Sequence, residues 1–179
     1  MIDPVTSDRA IHRVLFVLLA AALLFLQLLP LSTMPSRVPG PDLLLCLAFA
    51  WLQRRPDYLP PLLFAGVFLT ADMLLMRPPG LWTALALGGG EFLRSRHNTS
   101  TELSFPAEWA FTAVVIGAIT TAYVLVLNLL AVDHARPAMA FVQAIMTVAV
   151  YPAVVFLCRS VFNLRRLTKA EMDTQRMQR

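Results

Sequence analysis

An all-α integral membrane protein, folded as a compact bundle of six membrane-spanning helices, is the fold class this sequence predicts. Three observations carry it. Of the 179 residues, 58% are hydrophobic and only 15% are charged, against about 45–50% and about 25% in ordinary soluble domains. The mean hydropathy is +0.65, more apolar surface than a single soluble core of this size can bury, whereas lipid covers it directly. The apolar residues also fall in consecutive runs broken by short polar gaps, and the basic residues concentrate in alternate gaps. The net charge of +4 therefore reads as membrane topology and not as a nucleic-acid surface, since no basic cluster is interleaved with aromatics.

The first span, residues 14–31, follows Arg9 and Arg13 and has Gln27 as its one strongly polar residue. Eighteen residues of helix reach about 27 Å, close to a hydrocarbon core of about 30 Å. No small-x-small cleavage pattern follows, so this run reads as a retained anchor and not as a signal peptide. A Pro-rich link leads to the second span, residues 41–53, closed by Arg54-Arg55-Pro56-Asp57. The third span covers residues 58–76, and Arg77-Pro78-Pro79-Gly80 turns the chain into the fourth, residues 81–93. After the longest polar gap come the fifth span, residues 108–132, and the sixth, residues 138–158, before a basic tail over residues 159–179.

Spans two and four are short, at about 20 Å of helix each. They are either re-entrant, which would lower the count to five, or shielded inside the bundle. Charge decides for six. With residues 1–13 and the tail both cytoplasmic, the inner side holds Arg9, Arg13, Arg54, Arg55, Arg94 and Arg96. The tail adds Arg159, Arg165, Arg166, Lys169, Arg176 and Arg179, while only Arg37, Arg77 and Arg136 lie outside. A re-entrant span would spoil this asymmetry. The tail reads as a positive-inside retention signal against anionic lipid, or as a docking site for a cytoplasmic partner.

Polar residues within the spans indicate which faces point inward. In the fifth span Ala113, Gly117 and Thr121 recur at i+4, a spacing of small residues that lets another helix approach closely. In the sixth, Gln143, Thr147 and Tyr151 repeat at the same spacing, and Gln27 of the first span joins the set. These residues either bond helix to helix or line a pathway for a solute. Asp72 is the one acidic residue well inside an apolar run, a costly placement. With Asp42 and Arg77 at similar depth it reads as an ion-paired or capped structural carboxylate, a partner- or ligand-binding group, or a proton relay lacking a second acid.

Catalytic and cofactor signatures do not emerge. Cys46 and Cys158 lie inside apolar runs, far apart and without metal-ligand spacing, and read as buried structural thiols. Gly88-Gly89-Gly90 neither follows a strand nor precedes Lys-Ser/Thr, so it is no phosphate loop. Glu91 sits three residues before Arg94 and pairs with it at a helix end. The sequence therefore predicts a protein that is not an enzyme and carries neither metal nor cofactor.

Two stretches go further. Pro41-Asp42-Leu43-Leu44-Leu45 opens the second span, and Asp72-Met73-Leu74-Leu75-Met76-Arg77-Pro78-Pro79-Gly80-Leu81 joins the third to the fourth. Together with Thr147, Tyr151 and Pro152 before a basic tail, they resemble the bacterial rod shape-determining MreD family. The glycine that often closely precedes the Asp in that family is displaced here to Gly66. The resemblance covers the whole chain in layout. It implies a six-helix fold similar to the substrate-binding subunits of energy-coupling-factor transporters, placed in the inner membrane. It also implies a scaffold of the elongation complex that binds MreC and links MreB filaments to RodA, its class B penicillin-binding partner and RodZ. A rim made by Asp42, Asp72, Arg77, Pro78 and Gly80 would then hold the partner, around a periplasmic-side pocket for peptide or lipid. The alternative function is a solute-binding or transport subunit.

Overall fold

A computed structural model describes residues 4–29, 39–99, 105–130 and 137–162, and every regular element among them is helical. Six α-helices follow one another: α1 (Pro4–Leu28), α2 (Leu43–Arg54), α3 (Pro61–Leu74), α4 (Leu81–Thr99), α5 (Phe105–Leu129) and α6 (Pro137–Phe162). A single 3-10 turn, Pro56–Tyr58, separates α2 from α3. Three of the helices, α1, α5 and α6, are long and apolar enough to cross a membrane, and the whole is compatible with a membrane-embedded bundle.

The short second helix is the centre of the molecule. Asp42 caps it, with Oδ1 accepting from the Leu45 amide at 3.0 Å, and its apolar run fills the helix until Arg55 and Pro56 end it. From Leu44 to Arg54 every residue is buried, so α2 has no face left for lipid. The helices α1, α4 and α6 pack directly around it, while α3 leans on α4 and α5 on α4 and α6. Twelve residues make about 18 Å of helix against about 38 Å for α5, and such a short segment fits inside a bundle only because its neighbours supply the length. Large apolar side chains point outward from the surrounding helices, among them Leu18 and Phe25 of α1, Met73 of α3, Leu125 of α5 and Phe156 of α6.

Between helices in lipid, close fit and hydrogen bonds replace water-driven burial. The closest fit lies on α4. A Cβ placed on Gly89 would meet Val115 Cγ1 at 2.8 Å, and one on Gly90 would meet Leu52 Cδ1 at 2.9 Å, so these glycines let α5 and α2 approach. Phe64 and Phe68 of α3 stack 4.4 Å apart, and Phe16 of α1 lies against Trp51 of α2. The Trp109 indole of α5 donates to the Val148 carbonyl of α6 at 2.9 Å. The helix α6 runs on through Pro152.

Several element boundaries differ from those expected. The first helix begins at Pro4 instead of residue 14, with proline tolerated in the first turn, and ends at Leu28. Residues 58–60 belong to the 3-10 turn and its exit, and α3 starts where Pro61 can occupy its first position. The helix α4 continues to Thr99 instead of stopping near residue 93, and it carries a Glu91–Arg94 pair at 2.7 Å on its surface. Helix formation outlasts apolarity there.

Candidate functional site

Successive helices alternate in direction, which brings Asp42 and the α3–α4 turn to one end of the bundle. Arg54, Arg94 and Glu108 lie at the other. At the first end the chain is drawn into a single knot. The helix α3 terminates with the Arg77 amide donating to the Asp72 carbonyl at 3.0 Å, and Met76 adopts a left-handed φ of 53°, the 6→1 closure of a Schellman cap. Gly80, at φ 86°, then reverses the chain into α4.

Asp72 is fully buried, and one oxygen does most of its work. Oδ2 accepts from the Gly80 amide at 3.1 Å, the Thr83 amide at 3.1 Å and the Thr83 hydroxyl at 2.8 Å. These are the donors that the first turn of a helix leaves unmet, so a carboxylate from the end of α3 caps the beginning of α4. Oδ1 has no protein partner among the described residues. Asp42 lies beside this cap. Its amide donates to Thr147 Oγ1 of α6 at 2.9 Å, and its Oδ2 faces Arg77 Nη1 at 3.4 Å. The Arg77 guanidinium in turn lies 5.4 Å from the Trp82 ring centroid, and Trp82 meets Tyr123 edge-on at 5.2 Å.

Above the start of α2 this end is hollow. Asp42 sits level with Thr147, the eleventh residue of α6, about 15 Å along from Pro137, so α2 begins well below the ends of its long neighbours. The space left over is a half-open cavity of about 210 Å³. Its walls come from α2, α4, α5 and α6, and Asp42, Arg77, Trp82 and Gln143 line it together with the aliphatic Ile116, Val124 and Leu127.

The opposite end is closed by arginines. Arg54 and Glu108 are both buried and approach to 3.9 Å. Next to them Gln53 Nε2 donates to Thr112 Oγ1 at 2.6 Å, and Thr112 donates to the Glu108 carbonyl at 2.9 Å. Arg94, besides pairing with Glu91, donates to the carbonyls of Pro56 and Leu59 and so ties α4 to the α2–α3 connection. The His12 ring stacks on Tyr58 with centroids 4.4 Å apart.

Asp42, Asp72, Arg77, Pro78 and Gly80 therefore come together, although Asp42 and Asp72 are enclosed and do not form an exposed rim. Thr147 and Tyr151 are buried and Gln143 lines the cavity. The remaining expected interior residues are corrected. Gln27 and Thr121 are exposed. The Thr121 hydroxyl donates at 2.8 Å to the Gly117 carbonyl one turn back, so it needs no partner on another helix. Gly117 is only half-buried and nothing lies within 4 Å of a Cβ placed there. The inward face of α5 is instead Glu108, Thr112, Val115, Ile116, Ile119 and Thr120. Arg159 is exposed on α6, and Arg165, Arg166 and Lys169 lie outside the described residues. Thr83, Trp82 and the Arg54–Glu108 and Gln53–Thr112 pairs were not anticipated as site residues. Among the described residues no group of three His, Cys, Asp or Glu side chains is placed to hold a metal ion.

Comparison with family models, curated proteins and solved structures finds no match for this chain.

Proposed function

We propose that this chain is a non-enzymatic membrane scaffold of the bacterial rod-shape, or elongation, complex, of the kind the MreD family represents. One observation carries the reading. The two stretches that resemble the family, residues 41–45 and 72–81, are distant in sequence but form one unit, joined by the Asp42–Arg77 pair and the Asp72 cap over Gly80 and Thr83. In this reading all six helices cross the inner membrane and both termini are cytoplasmic. Arg9, Arg13, Arg54, Arg55, Arg94, Arg96 and Arg159 belong to the end opposite Asp42, which the preference for basic residues inside assigns to the cytoplasm. The Asp42 end faces the periplasm and binds MreC. Through MreC the chain joins MreB filaments to RodA, its class B penicillin-binding partner and RodZ.

A photo-reactive residue at Met76, which is 93% exposed beside the knot, tests this in growing cells. Cross-links to MreC from position 76, and none from Leu62 at the other end of α3, are expected. Cross-links to MreC from position 62 alone would reverse the assignment of ends.

The cavity favours a second reading, a solute-binding subunit resembling those of energy-coupling-factor transporters. That reading requires a paired ATPase at the Arg54 end and retention of a small molecule through purification.

A further inference from the structure

Pro152 lies inside α6. It has no backbone N–H, so the carbonyl four residues back, that of Val148, receives no bond from its own helix. Val148 falls at the middle of the apolar stretch Pro137–Ser160, where lipid offers no donor and a neighbouring helix must supply one. The Trp109 indole of α5 does so: its Nε1 donates to this carbonyl at 2.9 Å. One residue earlier the Cys46 thiol of α2 donates to the Thr147 carbonyl at 3.3 Å. Two helices thus bond to the backbone of α6 within the turn that precedes its proline.

The place of Pro152 along α6 matters as much as the missing bond. Before it, α6 supplies Met139, Ala140, Gln143, Ala144 and Thr147 to the cavity. Beyond it, the helix runs to Arg159 and ends at Phe162, towards the opposite end of the bundle. A helix short of one internal bond bends there more readily than elsewhere, and sharp bends concentrate at proline. Trp109 stands on α5, so its bond ties α6 to a second helix at the point where α6 is weakest. The indole is 39% exposed, which leaves it at the surface of the bundle and not locked within its core.

We infer that Pro152 makes α6 a hinge and that Trp109 is the latch that holds it. While Nε1 bonds the Val148 carbonyl, residues 137–151 and 153–162 move as one helix. When that bond opens, the second segment bends about Pro152 and shifts Arg159 relative to the cavity. The device requires no particular partner and serves a scaffold or a solute-binding subunit alike.

Hydrogen exchange read by mass spectrometry on the full-length chain in one detergent tests it, together with thermal unfolding. Trp109→Phe keeps an aromatic ring and removes the donor. Exchange over residues 149–156 should quicken about 5-fold, the worth of one hydrogen bond, with α2 and α4 little changed. Pro152→Ala restores the N–H that α6 lacks and should slow exchange in the same segment. In that background Trp109→Phe should have less than half its effect on both exchange and melting temperature. Equal effects of Trp109→Phe with and without Pro152 would overturn the latch, as would a rise in exchange spread evenly over all the helices. Should Trp109→Phe fail to fold, Pro152→Ala decides alone, and exchange over residues 149–156 no slower than in the unmodified protein would overturn the inference. None of these readouts involves a partner, so failure of the scaffold reading leaves the inference standing.

Discussion

Replacing Asp72 by alanine removes the acceptor shared by the Gly80 amide, the Thr83 amide and the Thr83 hydroxyl. The hydroxyl can rotate to another acceptor, but the two amides are fixed in the backbone at the start of α4 and have no such freedom. A buried donor stripped of its partner costs about 1–3 kcal/mol, so the gross loss is about 2–6 kcal/mol. Against it stands the relief of a wholly buried carboxylate with one unpartnered oxygen, a desolvation cost of up to several kcal/mol. The net is set at about 2–3 kcal/mol, slightly beyond the range of about 0.5–2 kcal/mol for helix caps. At roughly 2–4 °C per kcal/mol for a chain of this size, Asp72→Ala should melt about 4–12 °C below the unmodified protein. Asp72→Asn retains an acceptor oxygen and should lose less than half as much. Thermal unfolding in one detergent, followed by intrinsic tryptophan fluorescence, measures both. An alanine variant melting with the unmodified protein would show that Asp72 does not hold the α3–α4 junction.

Further substitutions test other parts of the bundle. Gly89→Ala should destabilise by about 1–2 kcal/mol, because its Cβ meets the stiff Val115 side chain. Gly117→Ala, with open space around it, should instead stabilise by about 0.5–1 kcal/mol, and paired melting curves decide between them. Arg54→Leu or Glu108→Leu alone breaks a buried ion pair and should cost about 3–5 kcal/mol, whereas the double variant should recover most of that. A double-mutant cycle on melting temperature reads the coupling, and additive losses would mean that the 3.9 Å pair contributes nothing. Met76→Gly relieves a left-handed residue that is almost wholly exposed and should raise stability by about 1 kcal/mol. An unchanged or lowered melting temperature would contradict the cap geometry.

What could be read from the sequence, and what could not, divides along a physical line. The Pro-Asp pair before an apolar run announces a capped helix, and the shortness of the second span is visible in its length. That it is enclosed on every side depends on the lengths of α1, α4 and α6 around it. Asp72 was legible as a buried acid because a lone carboxylate in an apolar run has few other reasons to be there. Its partners were not, since two of the three donors are the backbone amides of Gly80 and Thr83, which every residue but proline possesses, and the Thr83 hydroxyl is one among many. The i+4 stripe of Ala113, Gly117 and Thr121 suggested a contact face, but spacing reveals that a face exists and not which way it turns. Thr121 closes on its own helix, and the close approach occurs at Gly89 and Gly90. Three glycines in a row within an apolar helix were the available signal. Arg54 and Glu108 were read as span boundaries, because charge at a helix end usually reaches water. Around a central helix even the end is covered.

The scaffold reading meets its most direct test in affinity purification of the tagged chain from mild detergent, with everything that accompanies it identified. The account predicts MreC together with RodA and its class B penicillin-binding partner. Recovery of paired ATPases with a coupling membrane subunit, or of a bound small molecule and no protein, would contradict it and make the chain a solute-binding subunit.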